Sequence, residues 1–484
     1  GAGEGEVEGL AGRGRTLRPR AAGPMGSNCC TAVVANRDIE LQQEAAKFEL
    51  EEAKPDLEDT KPEVRVASRV LIIGAGFGGL GCAHALANAD DASAVSVTLV
   101  DSKDYFSIGG TWQFVWTGRA TLEQTKWPLA EVAKSLPGVD LRPKTTVQSL
   151  DLAAGSVTLH DDSVLTYDYL VLSPGVVSDA SSIPGLGEAA VDVCNIQHVE
   201  RAKQELQDFI AKAKTAKGSK PLFLVAIGAV PYKCPPLPFE VASLVDHELR
   251  AAGVREGARV VLCCPVPFPM SGPPPNPASE AFLPLLAEKG IEWMRQHVME
   301  RVEKESDKWK VHFINGVEID ADAIFAIFPQ RAPDLFRDAG LVNHKGFISV
   351  DLLTNRLESH GHSYDNVYVV GDACFAMLPK PNQPHPKAGE FAWQMGGAVA
   401  ANIRAAMAGG EAPLPSVRGG RCVAETGGGT GMAIINDLMP VLANPSEGKP
   451  SLKCMPGPAQ EKLEWVNGYI ERLYGSEARK FSPA

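Results

Sequence analysis

A run of buried-strand residues at 70–73 opens directly into a turn with glycine at 74, 76 and 79, and this pattern restricts the fold more than any other stretch. Gly74 permits a tight turn, Gly76 lets a pyrophosphate approach the backbone, and Gly79 lets the following helix lie against the strand. The free N–H groups at the start of that helix would carry the phosphates. Glycine spacing alone is permissive, so its context decides. A second strand at 97–100 ends in Asp101, about twenty residues past the last glycine, where a carboxylate binds ribose hydroxyls. Strand, turn, helix, strand and acid follow in the order of a dinucleotide-binding β-α-β unit.

The chain has 484 residues, enough for two or three domains, and 44% hydrophobic content supplies their cores. A net charge of −12 argues against a nucleic-acid partner, which needs a clustered basic surface. No stretch approaches about 18 uninterrupted apolar residues, so no transmembrane helix is expected and any membrane contact would be peripheral. The 10 cysteines are scattered, which suits a reducing, intracellular setting better than a secreted disulfide scaffold. No C-x-x-C pair points to zinc, and no C-x-x-C-H motif points to a covalent haem in this chain.

Residues 1–66 are expected to form a disordered leader and linker, with 1–24 outside the mature protein and a solvated helix within 38–64. Met25 starts MGSNCCTAVV. Translation from it would expose Gly26 for myristoylation, with Cys29 and Cys30 placed for palmitoylation, and two acyl chains would anchor the protein stably. An Arg-rich mitochondrial segment at 13–20 and an inert tail remain alternative readings.

A first nucleotide-binding part is expected over 67–185, including a helix at 121–136 and an apolar strand ending in Ser173-Pro174-Gly175. A second Rossmann-like domain follows at 186–329, with a helix from 199, a strand at 222–227, a helix from 239 and a strand at 259–262. Its turn reads GAVPYKCPP, with Pro231, Pro235 and Pro236 where a phosphate cradle needs amide donors, so nucleotide binding of the usual kind is not expected there. Seven prolines at 265–277 make an extended loop. The chain then returns to the first domain over 330–410, where a strand ends in Gly371-Asp372 and a small-residue helix begins at Gly389. Asp372 is placed to hydrogen-bond a ribityl or ribose hydroxyl. A C-terminal region, 411–484, carries an apolar helical stripe from Leu463 to Leu473, read as core packing. The expected class is therefore α/β, with two Rossmann-like dinucleotide-binding domains, the first discontinuous.

The glycine turn, LSPGV, VGDA, YKCPPLPFE, FPQRA, PKAG at 386–389 and RCVAETGGG together resemble the sulfide:quinone oxidoreductases and, more closely still, the flavin-binding subunit of flavocytochrome c sulfide dehydrogenase. The resemblance spans 67–430, and Cys-Pro-Pro-x-Pro-[Phe/Tyr]-Glu is its most specific element. It implies one FAD, held by Gly74, Gly76, Gly79, Asp101, Ser173, Gly175, Gly371 and Asp372. It also implies Cys234 and Cys422 as a redox pair. Sulfide or a small thiol would attack a disulfide or polysulfide bridge between them, leaving a thiolate beside the isoalloxazine that passes on two electrons. Glu240 would be the acid/base group, and Lys387 would favour the anionic reduced flavin. Electrons would go to a membrane quinone or another carrier.

Two departures shape the expectation. Relatives that bind FAD covalently use a cysteine just after the second strand, where this chain has Ser107 and no cysteine between 83 and 193, so the FAD is expected to be non-covalent. The membrane-dipping C-terminal pair of the quinone reductases is reduced to one candidate helix. Two other readings compete: an NAD(P)H:quinone oxidoreductase of the type II or apoptosis-inducing-factor-like kind, and a flavin-binding protein without redox function. For either cysteine the plain alternative is an inert buried thiol.

Overall fold

The computed structural model describes residues 67–270, 276–379, 382–410 and 418–484. Gly26, Cys29, Cys30 and the expected leader and linker lie outside the described residues, as does the middle of the proline-rich loop.

The chain enters through β1 (Ser68–Ile73), α1 (Phe77–Ala87), β2 (Val95–Val100), β3 (Val139–Arg142) and β4 (Tyr169–Leu172). It continues through β5 (Val191–Asp192), α2 (Val199–Thr215), β6 (Leu222–Ile227), α3 (Leu237–Ala251), β7 (Arg259–Cys264), β8 (Glu292–Arg295) and β9 (Ala323–Ile327). It returns as β10 (Arg356–Ser359), β11 (His362–Val369) and α4 (Gly389–Met407), then ends in β12 (Gly419–Gly427), β13 (Thr430–Asp437), β14 (Ser451–Pro458) and α5 (Gln460–Tyr474).

The first sheet has the order β10-β11-β4-β1-β2-β3 and is parallel except for the β10 edge. Strand order reverses between β1 and β4, which opens a crevice at their carboxyl ends. Burial on both faces explains the apolar run in β1: Val70, Leu71 and Ile72 are almost wholly enclosed, and each such side chain contributes about 1.5–3 kcal/mol. The second sheet, β5-β9-β6-β7-β8, is parallel throughout. Its β6 is buried at all six positions.

Helices α1 and α4 meet backbone to backbone. A Cβ on Gly396 would stand 2.2 Å from the Gly78 carbonyl oxygen, and one on Gly81 would stand 2.6 Å from that of Trp393. Only glycine allows this approach, and it brings both helix N-termini to the same crevice. The three-stranded antiparallel sheet β12-β13-β14 shares a core with α3, with Phe239, Leu244, Ala424, Met432 and Ile434 in one cluster.

One expected element is corrected. Residues 121–136 form no single helix: short 3-10 turns flank a strand at Lys126–Pro128 and one α-turn at Leu129–Val132. Pro128 lacks the N–H an uninterrupted helix would need and disfavours helical geometry at the residue before it. The C-terminal stripe does face the core, with Val466, Tyr469, Ile470 and Leu473 buried.

Candidate active site

Two cavities meet between the sheets. The larger, about 520 Å³, is lined by Gly76, Asp101, Ser173, Gly175, Gly371 and Asp372 among others. The smaller, about 230 Å³, is lined by Cys234, Cys422, Glu240, Glu390 and Lys462. Phe77, Ser107, Trp112, Cys194, Lys233, Asp372 and Gly389 border both, so the two form one continuous space.

The larger cavity has the marks of a dinucleotide site. Gly74 lies at φ +103, and a Cβ there would stand 2.2 Å from the Ser173 carbonyl oxygen, so β1 and β4 close together only with glycine. A Cβ on Gly79 would stand 1.9 Å from the Gly74 carbonyl oxygen, whereas one on Gly76 would meet nothing within 4 Å. Gly74 and Gly79 thus build the turn, and Gly76 faces the space a pyrophosphate needs. Asp101 accepts the Ala75 N–H at 2.7 Å and the Lys103 N–H at 2.8 Å, which fixes its carboxylate at the rim. Asp372 Oδ1 is buried with no protein partner. A buried acceptor left unpaired costs about 1–3 kcal/mol, so this oxygen fits a hydroxyl supplied by a bound group. These residues fit an FAD, which would place its pyrophosphate at Gly76 and the α1 N-terminus, a ribose at Asp101 and its ribityl chain at Asp372.

The smaller cavity gathers two thiols from distant segments. Cys234 stands on the loop after β6 at φ +58, a left-handed conformation that strains a non-glycine residue by of order 1–2 kcal/mol. Cys422 stands on β12. Both are free thiols and partly exposed toward this space. Burial pushes the Cys234 thiol well above its ordinary range, and the neighbouring Cys422 sulfur and Glu240 add to this. Burial first, then Glu390 and Glu240, pushes Cys422 up to about 12. Both sulfurs therefore stay protonated at neutral pH unless a base takes the proton.

Glu240, in the first turn of α3, lies beside them and is buried. Its Oε1 accepts the Glu425 N–H at 3.1 Å and is contacted directly by the Lys462 ammonium. Burial raises the Glu240 carboxyl above the usual range, while Lys462 pulls it down. Lys387 is enclosed beneath the site, donating to the carbonyl oxygens of Asp372 at 2.8 Å and Cys374 at 2.6 Å. It borders neither cavity, and its cation supports the turn that presents Asp372. Cys374 is buried against Met395, as a core residue would be.

Sequence reasoning passed over Lys233, Cys194 and Lys462. Lys233 borders both cavities with its ammonium 5.6 Å from the Trp112 ring centre. Cys194 lies two residues after β5 and borders both cavities, and its thiol is raised chiefly by burial. Lys462 comes from the first turn of α5. Position relative to β5 signals Cys194, since it follows the sheet edge at the crevice, but nothing local marks Lys462.

The profile described as "Pyridine nucleotide-disulphide oxidoreductase" matches residues 68–396, more than half of the chain. The chain belongs to that family. It is a flavin-dependent oxidoreductase with the two-Rossmann architecture seen above. It is 26% identical over 354 residues to the sulfide-quinone reductase of Aquifex aeolicus, covering 70% of this chain and 76% of the relative. It is also 23% identical over 346 residues to the type II NADH:quinone oxidoreductase of Staphylococcus aureus, covering 69% and 82%. Among solved structures, the sulfide:quinone oxidoreductase of Aquifex aeolicus superposes with a TM-score of 0.70 at 21% identity, over 86% of this chain and 94% of that one. The NAD-dependent persulfide reductase of A. fulgidus gives 0.54 at 21% identity, over 76% and 64%. The last two show a shared fold.

Proposed function

We propose that this oxidoreductase takes two electrons from sulfide, or from a small thiol, through Cys234 and Cys422, and passes them to a quinone or another carrier. The observation that carries the reading is the placement of both thiols, with Glu240, in one cavity continuous with the dinucleotide site. When bound, FAD would supply a two-electron acceptor. Gly76, Asp101, Ser173, Gly175, Gly371 and Asp372 would hold it, and without a covalent bond, since Ser107 stands where covalent relatives have a cysteine.

Oxidation of the two free thiols, with loss of two electrons and two protons, forms a bridge between Cys234 and Cys422; hydrosulfide then breaks it, forming a persulfide on one and leaving a thiolate on the other. When the bridge re-forms with the extra sulfur, two electrons and one proton leave the pair. Glu240 takes protons from sulfur in this cycle. Among the described residues no helix is long and apolar enough to cross a membrane, so a lipid-soluble acceptor would be met by peripheral association.

The second nucleotide turn argues against a nicotinamide donor. A Cβ on Gly228 would stand 2.6 Å from Pro329 Cδ, so Pro329 packs directly against this turn, and the prolines that follow offer no amides. The likeness to NADH:quinone oxidoreductases keeps NADH as the competing donor. Anaerobic titration of the purified yellow protein with sulfide and then NADH decides between them. Bleaching of the flavin band by sulfide alone is expected, and bleaching by NADH alone would overturn the reading.

A further inference from the structure

We infer that Lys462, reaching in from the C-terminal helix, is a positioning residue that holds Glu240 ionised and aimed at the Cys234 and Cys422 sulfurs. This deepens the function proposed above and rests on its assignment of Glu240 as the proton acceptor.

The geometry is specific. The side chains of Lys462 and Glu240 are only 5% and 4% exposed, they form a direct ion pair, and both border the cavity that the two sulfurs share. A carboxylate so enclosed would shed its charge without a partner, because desolvation penalises the ionised form. The other charged groups around it do not fill that role. Glu425 is tied to Arg119. Glu390 accepts from Trp465 Nε1 at 2.9 Å and the Tyr469 hydroxyl at 2.8 Å. Lys233 stands over Trp112, its ammonium 5.6 Å from the ring centre.

Both hydrogen bonds to Glu240 use Oε1, which leaves Oε2 for a proton. In the transfer, a proton moves from a thiol sulfur to Oε2, so a thiolate and a neutral carboxyl replace a thiol and a carboxylate. Two segments 222 residues apart must be docked before the base exists, so α5 completes the site.

The test compares Lys462→Met, Lys462→Arg and Lys462→Met/Glu240→Gln with the wild-type holoenzyme. Infrared difference spectra at neutral pH should show a protonated carboxyl stretch in Lys462→Met that is missing from the wild type and from the double variant. Sulfide should bleach the Lys462→Met flavin roughly 100-fold more slowly at neutral pH, with recovery as pH rises, and Lys462→Arg should stay near wild type. No new carboxyl band, or a loss equal at every pH, overturns the inference. If Lys462→Met does not fold, a folded double variant supports an uncompensated Glu240 charge, and failure of both makes Lys462 a packing residue. Should the wild type resist sulfide, the proposed function falls while the infrared arm still decides what Lys462 does.

Discussion

The backbone N–H of Cys234 donates to the carbonyl oxygen of Lys387 at 2.8 Å, and Lys233 and Lys387 form an isolated parallel bridge. The loop that would cradle a pyrophosphate in the second Rossmann unit is stitched instead to the segment entering α4. This short ladder thus connects a cysteine on the loop after β6 to the segment that leads into the helix N-terminus facing the dinucleotide cavity. The strained φ of Cys234 is held by that ladder, as expected where a side chain must be aimed.

Replacing either cysteine should abolish sulfide chemistry while leaving the cofactor in place. In Cys234→Ser and Cys422→Ser the flavin spectrum is expected to persist, and anaerobic sulfide should no longer bleach it. Retained bleaching in both single variants would reject the thiol pair.

The glycines of the first turn should separate folding from binding. Gly76→Ala meets no atom of the protein within 4 Å, so it should fold normally yet retain flavin about 10- to 100-fold less tightly, as charge-assisted bonds of about 1.5–3 kcal/mol are lost. Gly79→Ala must displace the Gly74 carbonyl and should lower the melting temperature of the apoprotein itself. Equal stability of the two apoproteins would contradict this division.

Asp372→Ala should act in opposite directions on the two forms. The apoprotein is relieved of a buried, unpaired oxygen and is expected to gain about 1–3 kcal/mol in urea denaturation, whereas the holoprotein should bind FAD more weakly. Loss of stability in the flavin-free variant would show that Oδ1 has a structural partner.

Alkaline pH should weaken the fold through its buried thiols. Burial raises Cys82 from 9.0 to about 12. The folded state holds this proton more tightly than the unfolded chain, so its contribution is complete below about pH 9 and lost as pH rises toward 12. Between about pH 8 and 10.5 the group accounts for roughly 2 kcal/mol. Cys82→Ala should therefore show a flatter decline of the urea midpoint over that interval than the wild type, and identical slopes would refute the assignment.

The residues near the glycine turn were legible because the physics there is local. Buried parallel strands need apolar runs, close backbone approach needs glycine, and Asp372 follows its strand directly. The proline-filled second turn was legible for the same reason, since a missing amide is written in the residue itself. The helix expected at 121–136 failed because Pro128 divides it into turns and a strand, a break that residue marks but the surrounding helical pattern obscured.

Sequence by itself determined the α/β class, the first nucleotide turn and the residue types available for sulfur chemistry. Tertiary structure alone decided that Cys194 borders both cavities, that Lys387 is spent on carbonyls beneath the site, and that Lys462 neutralises Glu240. The Lys462–Glu240 pair joins segments 222 residues apart, and a charge or thiol acquires its chemistry from the burial and neighbours that only the closed fold supplies.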